Sequence, residues 1–266
     1  MEISEKTVLL TGATGGLGRS MAFRLAAEGA KLILSARDSE ALSSLAKELP
    51  GSGHSTAAAD LGEPDAALTL AASIGPVDCL VANAALPATG RLTELSGQQV
   101  ARMLRVNLES PILLAQALLP GMLDRDRGRL ILIGSLAGKA GSPRSSIYNA
   151  TKFGLRGFAF GLSGDLTGTG VSVSVVAPGF VRDAGMFADS GAKAPPRLGT
   201  ASPEQVSDAV MKAIEGGKIE ITVAPMKLRA MAHASLLSPT LSYRFQSGPA
   251  GQKTADVIAR GQTDKR

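Results

Sequence analysis

A chain of 266 residues that is 44% hydrophobic has enough apolar material for one continuous core, which excludes a disordered or fibrous protein. Its single cysteine excludes an intramolecular disulfide framework, and Cys79 sits in the apolar run Val77–Leu80–Val81, where a small buried hydrophobe is expected. The net charge of +5 does not point to nucleic acid: residues 226–266 alone carry seven Lys/Arg against two Asp/Glu, and the rest of the chain is neutral and poor in aromatics.

The chain passes from Met1–Lys6 straight into a strand-like run, with no basic leader and long apolar region, and a cytoplasmic protein is expected. Thr7–Leu10 reads as a first strand, Ser20–Glu28 as a helix stopped by Gly29, Lys31–Ser35 as a second strand and Glu40–Glu48 as a second helix. Further strands are predicted at Ser55–Ala58, Cys79–Ala82, Leu130–Ile133, Val171–Val176 and Ile219–Val223, with helices at Gly97–Leu119, Ile147–Leu166 and Pro203–Ile214. Such alternation means parallel strands joined by crossover helices, so the expected fold class is α/β, a doubly wound parallel sheet in one domain. That domain covers residues 1–225, and 226–266 form a basic C-terminal extension. The Gly/Ala/Pro-rich segment 182–200 follows a strand end and is expected to be a substrate lid.

Directly after the first strand comes Thr11-Gly12-Ala13-Thr14-Gly15-Gly16-Leu17-Gly18-Arg19. Glycines at 12, 16 and 18 allow a tight turn and a close approach of a pyrophosphate, and the helix N-terminus offers free N–H groups to the anion. This context predicts a Rossmann-type dinucleotide site. At the end of the second strand, where an NAD enzyme usually places a carboxylate for the ribose 2′-hydroxyl, the chain reads Ser35-Ala36-Arg37. Arg37 would welcome a 2′-phosphate, so NADP is favoured over NAD, and Arg19 is a candidate second cation.

Tyr148-Asn149-Ala150-Thr151-Lys152 opens a predicted helix, and residues four apart share one face. A cation beside a phenol favours its ionised form, so one tyrosine can take and give a proton near neutral pH. Ser135 ends the preceding strand, on the side where open parallel sheets bind ligands. With these motifs the chain from Thr7 to Val223 resembles the short-chain dehydrogenase/reductase family. The family's glycine motif matches Thr11, Gly12, Gly16 and Gly18, with Thr14 and Leu17 inside the same turn. Its adenine-contacting Asp matches Asp60, followed by Leu61, and Asn83 matches the asparagine that braces the central strands.

The resemblance also implies an active-site tetrad. Tyr148 would be the acid/base, Ser135 the hydroxyl that orients the substrate oxygen, Lys152 the ribose anchor, and Asn107 the holder of a proton-relay water. Pro178, Gly179 and Val181 match the stretch that meets the nicotinamide. Two departures stand out: Ala85 replaces the family's glycine after Asn83-Ala84, and Asp183 stands where threonine is common. The implied activity is an NADP-dependent hydride transfer between nicotinamide and a small carbonyl or alcohol substrate, hydrophobic to judge from Leu136, Ala137, Met186 and Phe187. The alternative is an NADP-binding sensor or scaffold without turnover.

Glycines 154, 157, 161 and 164 fall on one stripe of the Tyr148 helix, beside a core-facing stripe of Leu155, Phe158, Leu162 and Leu166. Close approach of another helix would offset their cost of about 1 kcal/mol each, so a homodimer or homotetramer is expected. In the extension, Lys227, Arg229 and Arg244 interleave with Leu228, Met231, Leu236, Leu237 and Phe245, a pattern open to packing beside the lid or to a membrane surface. His54 and His233 lack partners at metal spacing, and no metal is expected.

Overall fold

The computed structural model describes residues 1–192, 194 and 198–263, without the side chains of residues 241, 244, 245, 249 and 250. Residues 193 and 195–197 of the expected lid, and the side chains of Arg244 and Phe245 in the extension, therefore lie outside the described part. Among the described residues seven strands form one sheet: β1 (Thr7–Thr11), β2 (Lys31–Ser35), β3 (Ser55–Thr56), β4 (Cys79–Ala82), β5 (Gly128–Ile133), β6 (Val171–Pro178) and β7 (Glu220–Val223). Their spatial order is β3-β2-β1-β4-β5-β6-β7 and all the pairings are parallel. Around them run α1 (Gly16–Ala27), α2 (Ser39–Glu48), α3 (Ala66–Ser73), α4 (Gly97–Leu104), α5 (Ser110–Asp124), α6 (Ser146–Asp165), α7 (Gly185–Asp189) and α8 (Pro203–Gly216).

Alternate strand residues serve opposite faces, and each face has its own core. Val8, Leu10, Val81, Ile131 and Val176 pack with α1, α2 and α8, whereas Leu9, Leu80, Leu130, Leu132 and Val175 pack with α3, α5 and α6. Leu9, Leu10, Leu80 and Leu132 are fully buried, each contributing roughly 1.5–3 kcal/mol to folding. Since β1 pairs with β2 on one side and β4 on the other, the strand order reverses there, and a crevice opens beyond the carboxyl ends of these strands.

Three expectations need correction. The single helix predicted over Gly97–Leu119 is two helices joined by a π-helical turn at Arg105–Glu109, centred on the buried Asn107. The run Gly97–Asp124 is apolar and long enough to cross a membrane by composition, but Met103, Leu114 and Met122 are buried in the protein. β3 shrinks to Ser55–Thr56, both exposed at the sheet edge, although Ala57 and Ala59 still donate to the carbonyls of Leu34 and Ala36 at 2.9 Å. The extension, unreadable by period, folds into α9 (Met226–Leu237), α10 (Pro239–Gln246) and α11 (Pro249–Gly261). Pro239 and Pro249 stand at the first helical positions, where a missing N–H costs nothing.

Candidate active site

The glycine turn is shaped by contacts that exclude side chains. Gly12 has φ +64°, and a Cβ there would lie 2.9 Å from Ala84 Cα; one on Gly18 would lie 2.0 Å from the Gly12 carbonyl oxygen. Thr11 and Asn83 lock the turn across the switch point. The Thr11 hydroxyl accepts from the amides of Asn83 and Ala84, and Asn83 Nδ2 donates to the carbonyls of Thr11 and Gly12, all at 3.1 Å. Asn83 thus braces β1 against β4, as expected. No side chain caps α1 and no acid occupies its first turn, so the amides at Gly16, Leu17 and Gly18 have no competing carboxylate. Thr14 is half-buried in the turn, and Leu17 packs against Gly185 at the start of α7.

Beyond β2, Arg37 is exposed, and the nearest following acid, Asp38, is committed to capping α2 by accepting from the amides of Glu40 and Ala41 at 3.0 Å. Ser35 Oγ is buried without a partner among the described residues, a polar atom at the strand end next to Arg37. Arg19, the expected second cation, pairs instead with Glu48 of α2 and lies over the Phe23 ring at 5.3 Å. Asp60 accepts from Arg102 Nη2 at 2.9 and 2.7 Å and from the Gly62 amide at 2.9 Å. Burial pushes its carboxyl up, but the Arg102 and Gly62 bonds outweigh this and hold it below the usual range. Arg102 went unremarked in the sequence because its partner lies 42 residues away. The Leu61 carbonyl accepts from Ser110 Oγ at 3.0 Å, fixing the end of this loop to α5.

The catalytic candidates converge at the ends of β4 and β5. Tyr148 stands in the first turn of α6 and its amide donates to the Ala88 carbonyl at 3.1 Å. Ser135 follows β5, where its Oγ accepts from the Ala137 amide at 3.1 Å and interacts with the Tyr148 hydroxyl. Lys152, one turn along α6, is buried, donates to the Ile133 carbonyl at 2.9 Å and lies 5.7 Å from the centre of the Tyr148 ring. Burial pushes its ammonium down to about 8. For Tyr148 the expectation of a lowered pKa fails in this structure: burial pushes the phenol up, and the Ser135 hydroxyl offsets only part of it.

Asn107 is in place, but its side chain is spent on backbone: Oδ1 accepts from the Leu86 amide at 2.7 Å and Nδ2 donates to the Leu86 carbonyl at 2.9 Å. It therefore fixes the loop after β4, and the π-turn accommodates that clamp. A second clamp was missed. Asn149 Nδ2 donates to the carbonyls of Ala137 and Ala140 at 2.7 and 3.0 Å, while its Oδ1 accepts from the Ser142 amide at 3.1 Å. Its position next to Tyr148 was the available signal.

On the far wall, Gly179 donates its amide to the Val223 carbonyl at 3.0 Å just after Pro178, and Val181 is buried and bridged to Ala201. Asp183, at the position where the family commonly has threonine, has φ +66° and pairs with the Arg182 guanidinium at 3.1 Å, its side chain 71% exposed. Ala85 accepts the family glycine's place without a positive φ. His54 and His233 bond to nearby backbone: His54 Nε2 with the Pro50 carbonyl at 2.9 Å and His233 Nδ1 with the Arg229 carbonyl at 2.7 Å.

Residues 6–195 match the family model described as short chain dehydrogenase. The ketoacyl reductase HetN of Nostoc sp. is 35% identical over 227 residues, covering 83% of this chain and 79% of the relative. Among solved structures, serine dehydrogenase in its closed form with NADP+ superposes with a TM-score of 0.74 at 30% identity, over 83% of this chain and 95% of that one. A metagenomic short-chain oxidoreductase in complex with NADP gives 0.71 at 31% identity, over 85% and 99%.

Proposed function

Because the chain belongs to the short-chain dehydrogenase/reductase family, enzymes that act on CH–OH and C=O groups with NAD(P), we propose that it reduces a hydrophobic aldehyde or ketone with NADPH, Tyr148 being the general acid. The observation that carries this reading is the convergence of Ser135, Tyr148 and Lys152 at the mouth of a crevice whose other side is the uncapped, carboxylate-free start of α1. The residues fit a dinucleotide: Gly12 and Gly18 leave backbone where a Cβ would clash, and Thr11 with Asn83 holds that backbone open. Arg37 supports NADP over NAD, since Asp38 is tied to the α2 amides.

When bound, the nicotinamide supplies the hydride. The chain supplies the proton and the geometry. Ser135 Oγ and the Tyr148 hydroxyl interact and can share the substrate oxygen, which orients the carbonyl and concentrates both donors on it. Burial raises the phenol's pKa, so Tyr148 enters the reaction protonated and gives its proton to the oxygen as negative charge develops there. Lys152, held to Ile133, places a cation beside the resulting phenolate. Asn107 and Asn149 keep the loops on either side rigid. Oxidation of NADPH at 340 nm with a panel of aldehydes, ketones and quinones tests this; no turnover with any of them, alongside intact NADPH binding, would favour a sensor or scaffold.

We also propose self-association through α6 in a cytoplasmic setting. Gly157, Gly161 and Gly164 are exposed with open space before them, only Gly154 being crowded, by Leu108. Phe153 and Phe160 flank the stripe at 41% exposure, and Ile112, Leu113, Leu119, Phe158 and Leu162 line an adjacent groove between α5 and α6. An open glycine stripe flanked by exposed aromatics suits a second α6. Sedimentation at micromolar concentration distinguishes an oligomer from a monomer.

A further inference from the structure

The three helices after β7 have no part in the chemistry above, yet both ends of this extension are built into the crevice. Gln262, directly after α11, is 3% exposed, although glutamine is ordinarily a solvated residue. Its amide joins two segments that are far apart in sequence. Thr89 Oγ1 donates to Gln262 Oε1 at 2.7 Å, and Gln262 Nε2 donates to the Met186 carbonyl at 2.8 Å. Thr89 follows Ala88, whose carbonyl holds the Tyr148 amide, and Met186 belongs to α7.

Two further contacts fix the same helix end. Gly261 passes so close to the end of α7 that a Cβ on it would lie 2.2 Å from the Ser190 carbonyl oxygen. Asp256 of α11 accepts from Arg144 Nε at 2.7 Å, and the Arg144 carbonyl in turn accepts from the Gly90 amide at 2.7 Å. Thus α11 touches α7, the loop after β4 and the loop that leads into α6. At the other end of the extension, Leu228 of α9 closes on Gly179 next to Leu136: a Cβ on Gly179 would lie 2.9 Å from Leu228 Cδ2 and 3.1 Å from Leu136 Cδ1.

We propose that the C-terminal extension completes the substrate site, and that Gln262 is a positioning residue which fixes α7 against the Thr89 loop and thereby limits the size of the carbonyl compound that reaches Tyr148. A buried amide is costly unless both its oxygen and its nitrogen are bonded, and here both are, one to each wall. A leucine of similar size would fill the space and leave the Met186 carbonyl and Thr89 hydroxyl unpaired. The walls would then be packed but no longer tied. The size-selecting half of this proposal rests on the carbonyl-reductase reading; the tie between the walls does not.

Hydrogen–deuterium exchange of the full-length chain with NADPH tests the tie without turnover. In Gln262→Leu the amides of 185–190 and 88–91 should exchange about tenfold faster while those of β5 and β6 keep their native rates. Thr89→Val removes one of the same bonds from the other side and should give the same pattern, which covers the case in which the first variant does not fold. Native rates at 185–190 in either variant, or a rise spread equally over β5 and β6, would overturn the proposal. A ladder of straight-chain 2-ketones then reads selectivity: the ratio of kcat/KM for long over short members should rise about tenfold in Gln262→Leu with kcat on the short ones within about twofold. An unchanged ratio would overturn the size limit. Loss of the tie without loss of the Tyr148 chemistry, or the reverse, tells the two readings apart.

Discussion

The Lys152 ammonium lies 5.7 Å from the centre of the Tyr148 ring and donates a hydrogen bond, at 2.9 Å, to the carbonyl of Ile133, the last residue of β5. The strand that presents Ser135 therefore also anchors the cation. Both ionisable groups sit in surroundings that penalise charge, which raises the phenol and lowers the ammonium.

Stability should carry the mark of that buried lysine. Its folded value of about 8 lies below the ordinary 10.5, so between these values the unfolded chain binds more protons and stability rises with pH. Keeping the ammonium charged near neutral pH costs on the order of 3 kcal/mol by this reckoning. Urea unfolding of the native chain should show stability rising between about pH 8 and about pH 10.5, and Lys152→Met should lack that rise while losing activity. Parallel pH profiles for the two proteins would contradict it.

A buried ion cluster should show a dependence of the same sign in the acid range. Lys139, 0% exposed, bonds Glu220 at 2.9 Å and Thr222 Oγ1 at 2.8 Å, and Arg156 reaches the other Glu220 oxygen at 2.9 Å. Burial pushes the Glu220 carboxyl up, but the hydrogen bonds of Arg156 and Lys139 prevail and hold it below its usual range. Its contribution is complete above the unfolded carboxylate pKa of about 4.3 and is lost as pH falls through the lower folded value. Glu220→Gln leaves the Lys139 charge buried without an anion and should cost about 3 kcal/mol at neutral pH, with a flatter acid limb than the native protein. Equal stability at neutral pH would show that Thr222 alone satisfies Lys139.

Much of this was legible in the chain. Apart from the polar edge strand β3, the strands of the sheet read directly because each is a short apolar run between turn residues, and the glycine turn and Tyr148/Lys152 pair read from local spacing. What stayed hidden depends on partners distant in sequence. Arg19 and Arg37 look alike beside a phosphate site until the fold brings Glu48 to the first. The break at Asn107 was signalled by Pro111, which lacks the N–H that would reach back to the Asn107 carbonyl, but the clamp on Leu86, 21 residues away, was not legible. The first helix of the extension, α9, has weak periodicity, and the contacts of Gln262 with Met186 and Thr89 join residues far apart in sequence.

Coenzyme choice follows from the end of β2. Arg37→Ala together with Ala36→Asp removes a cation and adds an anion where a 2′-phosphate would lie, so the ratio of kcat/KM for NADPH over NADH should fall by about tenfold or more. An unchanged ratio would mean that Arg37 does not read the phosphate.

The central claim is that Tyr148 delivers the proton, and single-turnover reduction by Tyr148→Phe tests it most directly. The substitution keeps the ring against Lys152 and removes only the hydroxyl. The account predicts a rate lower by about 10²- to 10⁴-fold with the NADPH dissociation constant essentially unchanged. A variant that binds NADPH as the native protein does and retains most of its rate would contradict it.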